Sequence, residues 1–463
     1  MWARKITGAP AEHDSAQLVQ MAFNLERHGV ISMEENPPFE PTDYREPIPV
    51  LVCALGIKIM DGIIGAAEAE AYFSGDRVKY LKYQNLIWLA LLCVGAFWAA
   101  KALTSSFLLA LIALALVYFP FTGTHWGTGL IDGLFTEIPA APVLMFACAS
   151  LAIGFKRSRL ALIAVAGLLF GIVTLIKAAL FYVFVGVVLI LPCFYLLQRP
   201  AIPMRAFVRY VAVLVVAWAC VLAPWMYRNH VQLGSFQLSQ RSGLALWDRA
   251  LEDQMTTQEY VGTFYVWAPN NSLRRLLGSV LGFSSGDLQR GGRLQHLNST
   301  LESDFEKDDV AAEQAGRPDQ AISFYSQARA ERVKLERELD KAGHLHPDLE
   351  ADDLLKRRAI ILILKHPYQH LALTGSFLWR GAPLVFPILA FALAIALRQR
   401  RYDLALFALP VLGLVMFYAL FSMFLSRFAI PAYFVAVVVF VILIELLWNS
   451  LRSIGAGRTR AAA

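Results

Sequence analysis

The chain has 463 residues, 57% apolar and only 17% charged, with a mean hydropathy of +0.50. Soluble domains run at about 45–50% apolar and about 25% charged, so the composition excludes an ordinary soluble fold and points to a polytopic membrane protein. The formal charge of +6 forms no basic stripe, which argues against nucleic-acid binding; a membrane protein with Lys and Arg in its inner loops is basic for that reason alone.

Residues 1–47 carry no apolar run near the length of a signal-peptide core. They hold instead the polar stretch "PAEHDSAQLVQMAFNLERHGV" (10–30), in which Leu18, Met21, Ala22 and Leu25 fall on one face of a helix. Asp14 followed three residues later by Gln17 resembles a capping box, so the plain reading of Asp14 is a helix N-cap.

A bilayer core needs roughly 20 apolar residues as helix. Runs of that kind lie near 48–64, 84–100, 103–120, 137–155, 160–176, 178–197, 207–224, 380–397, 403–421 and 428–449. The expected fold is therefore all-α, a transmembrane bundle of about ten helices. The expected organisation is a first outer-face loop over 1–47, a membrane module over 48–224, a large and mostly helical outer region over 225–378, and C-terminal membrane helices over 379–463.

The second half of the outer region, about 285–358, is strongly charged and helical in pattern ("SFYSQARAERVKLERELDKAG"). "AGRPDQAISFYSQA" hints at one helical hairpin of the tetratricopeptide kind, but such repeats need about three copies to be stable, and a solvated helix pair is the plain reading. Cys53, Cys93, Cys148, Cys193 and Cys220 all lie in apolar segments without a C-x-x-C, so they offer neither a disulfide framework nor a metal site.

Lys and Arg in short loops set orientation. "LRQRR" (397–401), "QRPAIPMR" (198–205), "KRSR" (156–159) and the tail "RSIGAGRTR" (452–460) belong inside, which puts 225–378, the 121–136 loop and "FLSRF" (424–428) outside. Counting on towards the N-terminus leaves 1–47 inside if every early segment crosses. An outer position for that loop requires one early segment not to cross. The weakest is 48–64, with Lys58 and Asp61, charges that are costly at mid-membrane; a re-entrant pair around Lys177 is the alternative.

Five motifs then occur in a recognisable order. After "AFNLERHGVIS" comes "PPFEPTDYREPIPVLVCAL", an acidic helix start followed by A-x-N-L-x-x-x-G and P-T-x-Y-R-x-P. "GLFTEIPAAPVLMFACASLAIGF" (133–155) places an acidic residue at the opening of an apolar helix. "AGLLFGIVTLIKAALFYVFVG" (166–186) is a Gly-x-x-x-Gly helix ending in a basic residue. "LAPWMYRNHVQLGSFQLSQRSGLALW" (222–247) and "FSMFLSRFAIPAYF" (421–434) complete the set. Together they resemble the polyprenyl-phosphate-dependent glycosyltransferases of the C type, the bacterial relatives of protein O-mannosyltransferases and of the aminoarabinose transferase that modifies lipid A.

The resemblance implies an integral membrane enzyme, in a bacterial inner membrane with its active site on the outer face. It would move a sugar, with inversion, from a polyprenyl-phosphate donor to a glycan, lipid or protein acceptor. Family members carry a membrane helix just before the acidic motif, so the expectation is a start codon upstream of Met1 or a truncated form.

Such a transfer needs a base for the acceptor proton and cations or a metal for the departing phosphate. By resemblance Asp14 is the base. The family often has Asp-Glu there and this chain has His13-Asp14-Ser15, which leaves a second-carboxylate role to Glu12 or His13. Glu137 matches the second outer acidic position, near a metal in some relatives; otherwise it is an exposed helix-start carboxylate favoured by the macrodipole. A divalent metal is the cofactor the resemblance leaves open. Arg45, Lys177, Arg228 and Arg427 are the candidates for the donor phosphate, each also readable as an interfacial anchor or snorkelling cation.

His125 and Trp126 in "GTHWGTG" read as an interfacial loop, and His344 and His346, two apart, do not share a helical face as a metal pair would. There is no G-x-x-x-x-G-K-[ST], no G-x-G-x-x-G beside a strand, no H-E-x-x-H and no Asp-x-Asp. Those absences favour a lipid-linked donor over a nucleotide sugar and disfavour an ATP-driven transporter. The competing readings are a flippase of lipid-linked glycans, an inactive truncated relative, and a ligase or polymerase using a diphosphate lipid.

Overall fold

The computed structural model describes residues 2–120, 129–198, 202–298 and 303–461, and every regular element among them is helical. By length and composition seven helices can cross a bilayer: Pro47–Ile64, Gly75–Thr104, Glu137–Lys156, Ala179–Leu196, Met204–Leu233, Tyr402–Phe421 and Ser426–Ser450. A pair, Pro367–Gly381 and Val385–Gln399, is long and apolar enough only when taken together and is bent by 109°, the geometry of a broken span or a re-entrant loop. The chain is thus a polytopic helical membrane protein.

The expected count of about ten is not reached among the described residues, for a geometric reason. Phe107–Tyr118 and Leu160–Thr174 are apolar but hold 12 and 15 residues, roughly 18 and 22 Å of helix against a core of about 30 Å. The first of these helices is set off by Ser105, at φ +61°, and by Ser106, whose hydroxyl accepts the amide of Leu109. The second stops before Lys177.

The segment expected to be weakest, 48–64, is a full-length helix. Asp61 lies in its last turn, bonded to Arg27 at 2.7 Å and Arg77 at 3.1 Å and to the Tyr72 hydroxyl. Lys58 is exposed. Its charges therefore sit towards one end, Asp61 paired and Lys58 exposed, and the helix from Pro47 to Ile57 is free of them.

The molecule divides into two compact units. The first comprises Met1–Leu238, Val385–Leu414 and Ile430–Ala463. Its centre is the helix Glu137–Lys156, buried along almost its whole length. That helix is rich in alanine, and small side chains let backbones approach closely where lipid leaves no hydrophobic force to hold helices together. The Gly-x-x-x-Gly motif works the same way. A Cβ on Gly167 would lie 2.4 Å from the Leu214 carbonyl oxygen, and one on Gly171 would lie 2.6 Å from the Val221 Cβ. Helix Leu160–Thr174 therefore seats directly on Met204–Leu233.

The amphipathic helix Asp14–His28 forms as its pattern predicts, with Leu18, Met21 and Ala22 buried. They share one apolar cluster with Val50, Cys53 and Ile57 of the next helix and with Leu134, Leu175, Leu222 and Trp225. That cluster fixes the N-terminal helix against three later parts of the first unit. Thr7 and Lys82 both bond the Asp132 carboxylate, tying down the preceding segment.

The second unit is Ser239–Leu384 with Val415–Ala429. Helices Glu306–Ala315 and Phe324–Lys341 make the hairpin expected from "AGRPDQAISFYSQA". Asp309 accepts bonds from the Ile322 and Ser323 amides and the Ser323 hydroxyl. A buried network holds other elements of the unit together. Arg249 donates to Asp253 at 2.6 Å and to the His370 carbonyl at 2.8 Å, and His370 Nδ1 lies 2.7 Å from Asp253.

Next to this network Asp248 and Glu252 are buried, and each has a carboxylate oxygen without a hydrogen-bond partner among the described residues. Burial, which disfavours the charged form, raises both; Glu252 rises to about 7 from 4.5. Nearby Arg380 and Arg249 oppose the rise and Asp253 adds to it. In the unfolded chain Glu252 loses its proton near its ordinary value, while the folded form keeps it until about 7. This contribution to stability is present in acid and is lost as pH climbs through that window. The thermal midpoint of the solubilised protein should fall between pH 5 and 8, and Glu252→Gln should flatten that dependence; an unchanged slope in the variant would place the titration elsewhere.

Candidate functional site

Asp14 is the first residue of its helix rather than its cap. His13 occupies the cap position at φ +48°, and no side chain there bonds the helix amides. The capping-box reading of Asp14 and Gln17 is therefore incorrect, because both side chains are drawn to Arg45. The Arg45 guanidinium bonds the Asp14 carboxylate through Nη2 and the Gln17 side-chain oxygen through Nε at 3.1 Å. Arg45 is 9% exposed and Asp14 26%. The carboxylate is thus held by a buried cation and is half-buried itself. Glu12 and His13 are exposed.

Lys177 lies in the break between helices Leu160–Thr174 and Ala179–Gln198, not on either. Its ammonium is 2.9 Å from Glu137 Oε1, with side-chain exposures of 8% and 4%, and 3.4 Å from the Thr136 hydroxyl. Glu137 does open its helix, as expected, but it is buried, so the exposed-carboxylate reading does not hold. Nor does Lys177 snorkel to water: its charge is met inside the protein.

Two backbone ties bring these pairs into one place. The Ser15 hydroxyl, next to Asp14, accepts the Leu134 amide at 3.1 Å, three residues before Glu137. The Glu46 carboxylate, next to Arg45, accepts the Ala178 amide at 3.0 Å, one residue after Lys177. The Ile48 amide bonds the Leu175 carbonyl on the same seam. Four charges from four separated stretches of chain therefore meet along one seam of the first unit, two acidic and two basic.

Arg228 joins the edge of this arrangement. It donates at 3.0 Å to the Thr42 carbonyl, within the loop that carries Arg45, and at 3.0 Å to the Asn229 side chain. Its guanidinium lies 4.8 Å over the Trp225 ring, so it clamps the P-T-x-Y-R loop against helix Met204–Leu233. Arg427 belongs to the second unit, on the turn Ser426–Ala429, with its guanidinium over Phe428. His125 and Trp126 lie outside the described residues.

Among the described residues no three His, Cys, Asp or Glu side chains are arranged to hold a metal ion. The Glu137 carboxylate is engaged with Lys177 and Thr136. Sequence reasoning missed Gln17, Thr136, Ser15 and Glu46. Gln17 was visible in the capping-box spacing but was assigned the wrong partner. Ser15 and Glu46 act through backbone amides far along the chain, for which the sequence carries no signal.

No protein-family model matches the chain, and no curated protein matches it. Two solved structures that it resembles are those of ArnT from Cupriavidus metallidurans, in the apo state and bound to undecaprenyl phosphate. Each is 13% identical and is aligned over 94% of this chain and 75% of its own, with TM-scores of 0.36 and 0.37. Likeness at that level leaves the assignment of function to the residues themselves.

The two ion pairs have separable roles in stability. Removing one partner of a buried pair leaves the other charge unmet, at a cost of about 3–5 kcal/mol. Lys177→Ala should therefore lower the thermal midpoint of the solubilised protein markedly, and Lys177→Met combined with Glu137→Gln should recover most of the loss. A double variant no more stable than Lys177→Ala would show that Glu137 is not the counter-ion.

Proposed function

We propose that this protein is an integral membrane glycosyltransferase that takes a sugar from a polyprenyl-phosphate donor and passes it to a hydroxyl on a glycan, lipid or protein. The observation that carries the reading is the meeting of Asp14, Arg45, Glu137 and Lys177 on one seam of the membrane unit. Those are four of the residues singled out by the five-motif resemblance to the C-type enzymes. An outer-face position in a bacterial inner membrane is part of this reading, supported for Glu137 and Lys177 by the Lys- and Arg-rich loops on the other side of their helices.

In this reading the acceptor oxygen forms its bond to the anomeric carbon as the bond from that carbon to the phosphate oxygen breaks. The acceptor proton passes to Asp14, the more exposed of the two carboxylates. Polyprenyl phosphate leaves carrying one negative charge more than it had as the sugar ester. Arg45 and Lys177 stabilise that developing charge, which is the kind of interaction that lowers a barrier because it strengthens in the transition state.

The ground state suits this role. Both cations are already buried and held in position by carboxylates, so little reorganisation is needed when the charge appears. Arg228 positions the Arg45 loop without itself touching the reacting groups. Glu137 holds Lys177 in place, a positioning role rather than a proton-transfer one.

The reaction is read directly as release of free polyprenyl phosphate from a panel of polyprenyl-phosphate sugars supplied with a crude acceptor extract. Release should depend on acceptor, and Asp14→Asn should lower it by about 100-fold or more, the range expected for loss of a general base. Asp14→Asn releasing as much as the parent would remove Asp14 from the chemistry. Movement of lipid-linked glycan across a bilayer without any release would replace the transferase by a flippase.

A further inference from the structure

Helix Asn271–Leu281, in the second unit, leaves one edge of its apolar side outward. Leu273, Leu276, Leu277, Val280 and Leu281 share one face at helical spacing; Leu276 is 59% exposed and Val280 71%, while the other three are half-buried. On the inward side Gly278 abuts the unit so closely that a Cβ would meet the Phe283 carbonyl oxygen at 2.8 Å and the Tyr265 ring at 3.0 Å. A helix seated on its glycine, with Leu276 and Val280 presented to the outside, needs something apolar to cover them.

The chain around it indicates what that is. Trp267, four residues before Asn271, lies with its ring centroid 5.0 Å from that of Phe377 and 4.6 Å under the Arg380 guanidinium. Phe377 and Arg380 belong to the last turn of Pro367–Gly381, at the bend into the apolar helix Val385–Gln399. The Trp379 indole donates to the Phe264 carbonyl at 3.1 Å, on the same side. The start of the amphipathic helix is thus packed, through Trp267 and Trp379, against the last turn of Pro367–Gly381. Leu364, Tyr368, Leu371 and Leu384, on the elements leading to that bend, are also exposed.

Charge favours lipid over protein as the cover. Between residues 260 and 286 there is no Asp or Glu, and the two charged side chains are Arg274 and Arg275. Neither pairs with a carboxylate among the described residues; Arg274 lies over the Tyr265 ring and Arg275 donates to the Asn271 carbonyl. An apolar stripe flanked by unpaired arginines is the pattern of a helix lying in the plane of an anionic interface.

We propose that Asn271–Leu281 is an in-plane interfacial helix: Leu276 and Val280 enter the acyl boundary of an anionic bilayer, and Arg274 and Arg275 remain at headgroup level. The second unit would then hold the membrane through a surface contact as well as through its spanning segments. The inference stands apart from the transfer reaction and holds whichever substrate the first unit uses.

The test places a fluorescent amino acid singly at 276, 280 or 271 in the full chain. The protein is reconstituted into vesicles of phosphatidylethanolamine and phosphatidylglycerol in which a fraction of the acyl chains is brominated near the headgroup. Quenching at 276 and 280 should exceed that at 271, on the opposite side of the helix, several-fold. Equal quenching at the three positions would overturn the proposal. A photoreactive group at 280 supplies an independent readout in native membranes: lipid adducts are expected, and adducts to another protein or to a second copy of this chain would overturn it.

Discussion

The ion pair between Lys177 and Glu137 is the constraint around which the first unit is organised. A cation in an apolar stretch of membrane protein is expensive unless its charge is met locally. Here it is met by a carboxylate at the start of the most deeply buried helix of the unit. The pair needs the chain to break at Lys177, which shortens the preceding helix to 15 residues and frees the backbone amide of Ala178. Glu46 takes that amide, and with it the Arg45 loop is brought beside the pair. Helix Asp14–His28 follows, because Asp14 and Gln17 bond Arg45 and the apolar cluster locks the rest.

This order of dependence explains why the charges gather although none is near another in sequence. Each carboxylate has one cation, and each cation sits beside a residue whose side chain or backbone ties it to a different helix. The apolar cluster supplies the bulk of the holding force, since burial of each leucine- or methionine-sized side chain contributes about 1.5–3 kcal/mol. The polar ties supply position. The proposed phosphate site needs both, because a cation left unpaired in low dielectric destabilises the protein.

Much of the architecture was legible because membrane helices announce themselves by length and apolarity. Most of the expected spans appear, and the Gly167–Gly171 motif marked a real close approach. The count was overestimated where an apolar run was broken by a local feature: Ser105 and Ser106 in one case, Lys177 in another, and the bend before Val385 in the third. Composition does not see such breaks. The site was legible as residue types, since Asp14, Arg45, Glu137 and Lys177 all stood out. Their pairing was not, because Arg45 to Asp14 and Lys177 to Glu137 are contacts across 31 and 40 residues. The exposed edge of helix Asn271–Leu281 is not legible because its sequence reads as an ordinary amphipathic helix; only the inward position of Gly278 and the exposure of Leu276 and Val280 show it.

The account rests on Arg45 and Lys177 serving one phosphate together. That is measured most directly as the affinity of a polyprenyl phosphate for the parent, for Arg45→Gln, for Lys177→Gln and for the double variant, in detergent at fixed salt. If one phosphate bridges both cations, each single variant binds more weakly and the double variant loses less than the sum of the two losses, because the second cation has little left to hold. Strictly additive losses, or an unchanged affinity in either single variant, would mean that the two cations do not share a ligand, and the site as described would be wrong.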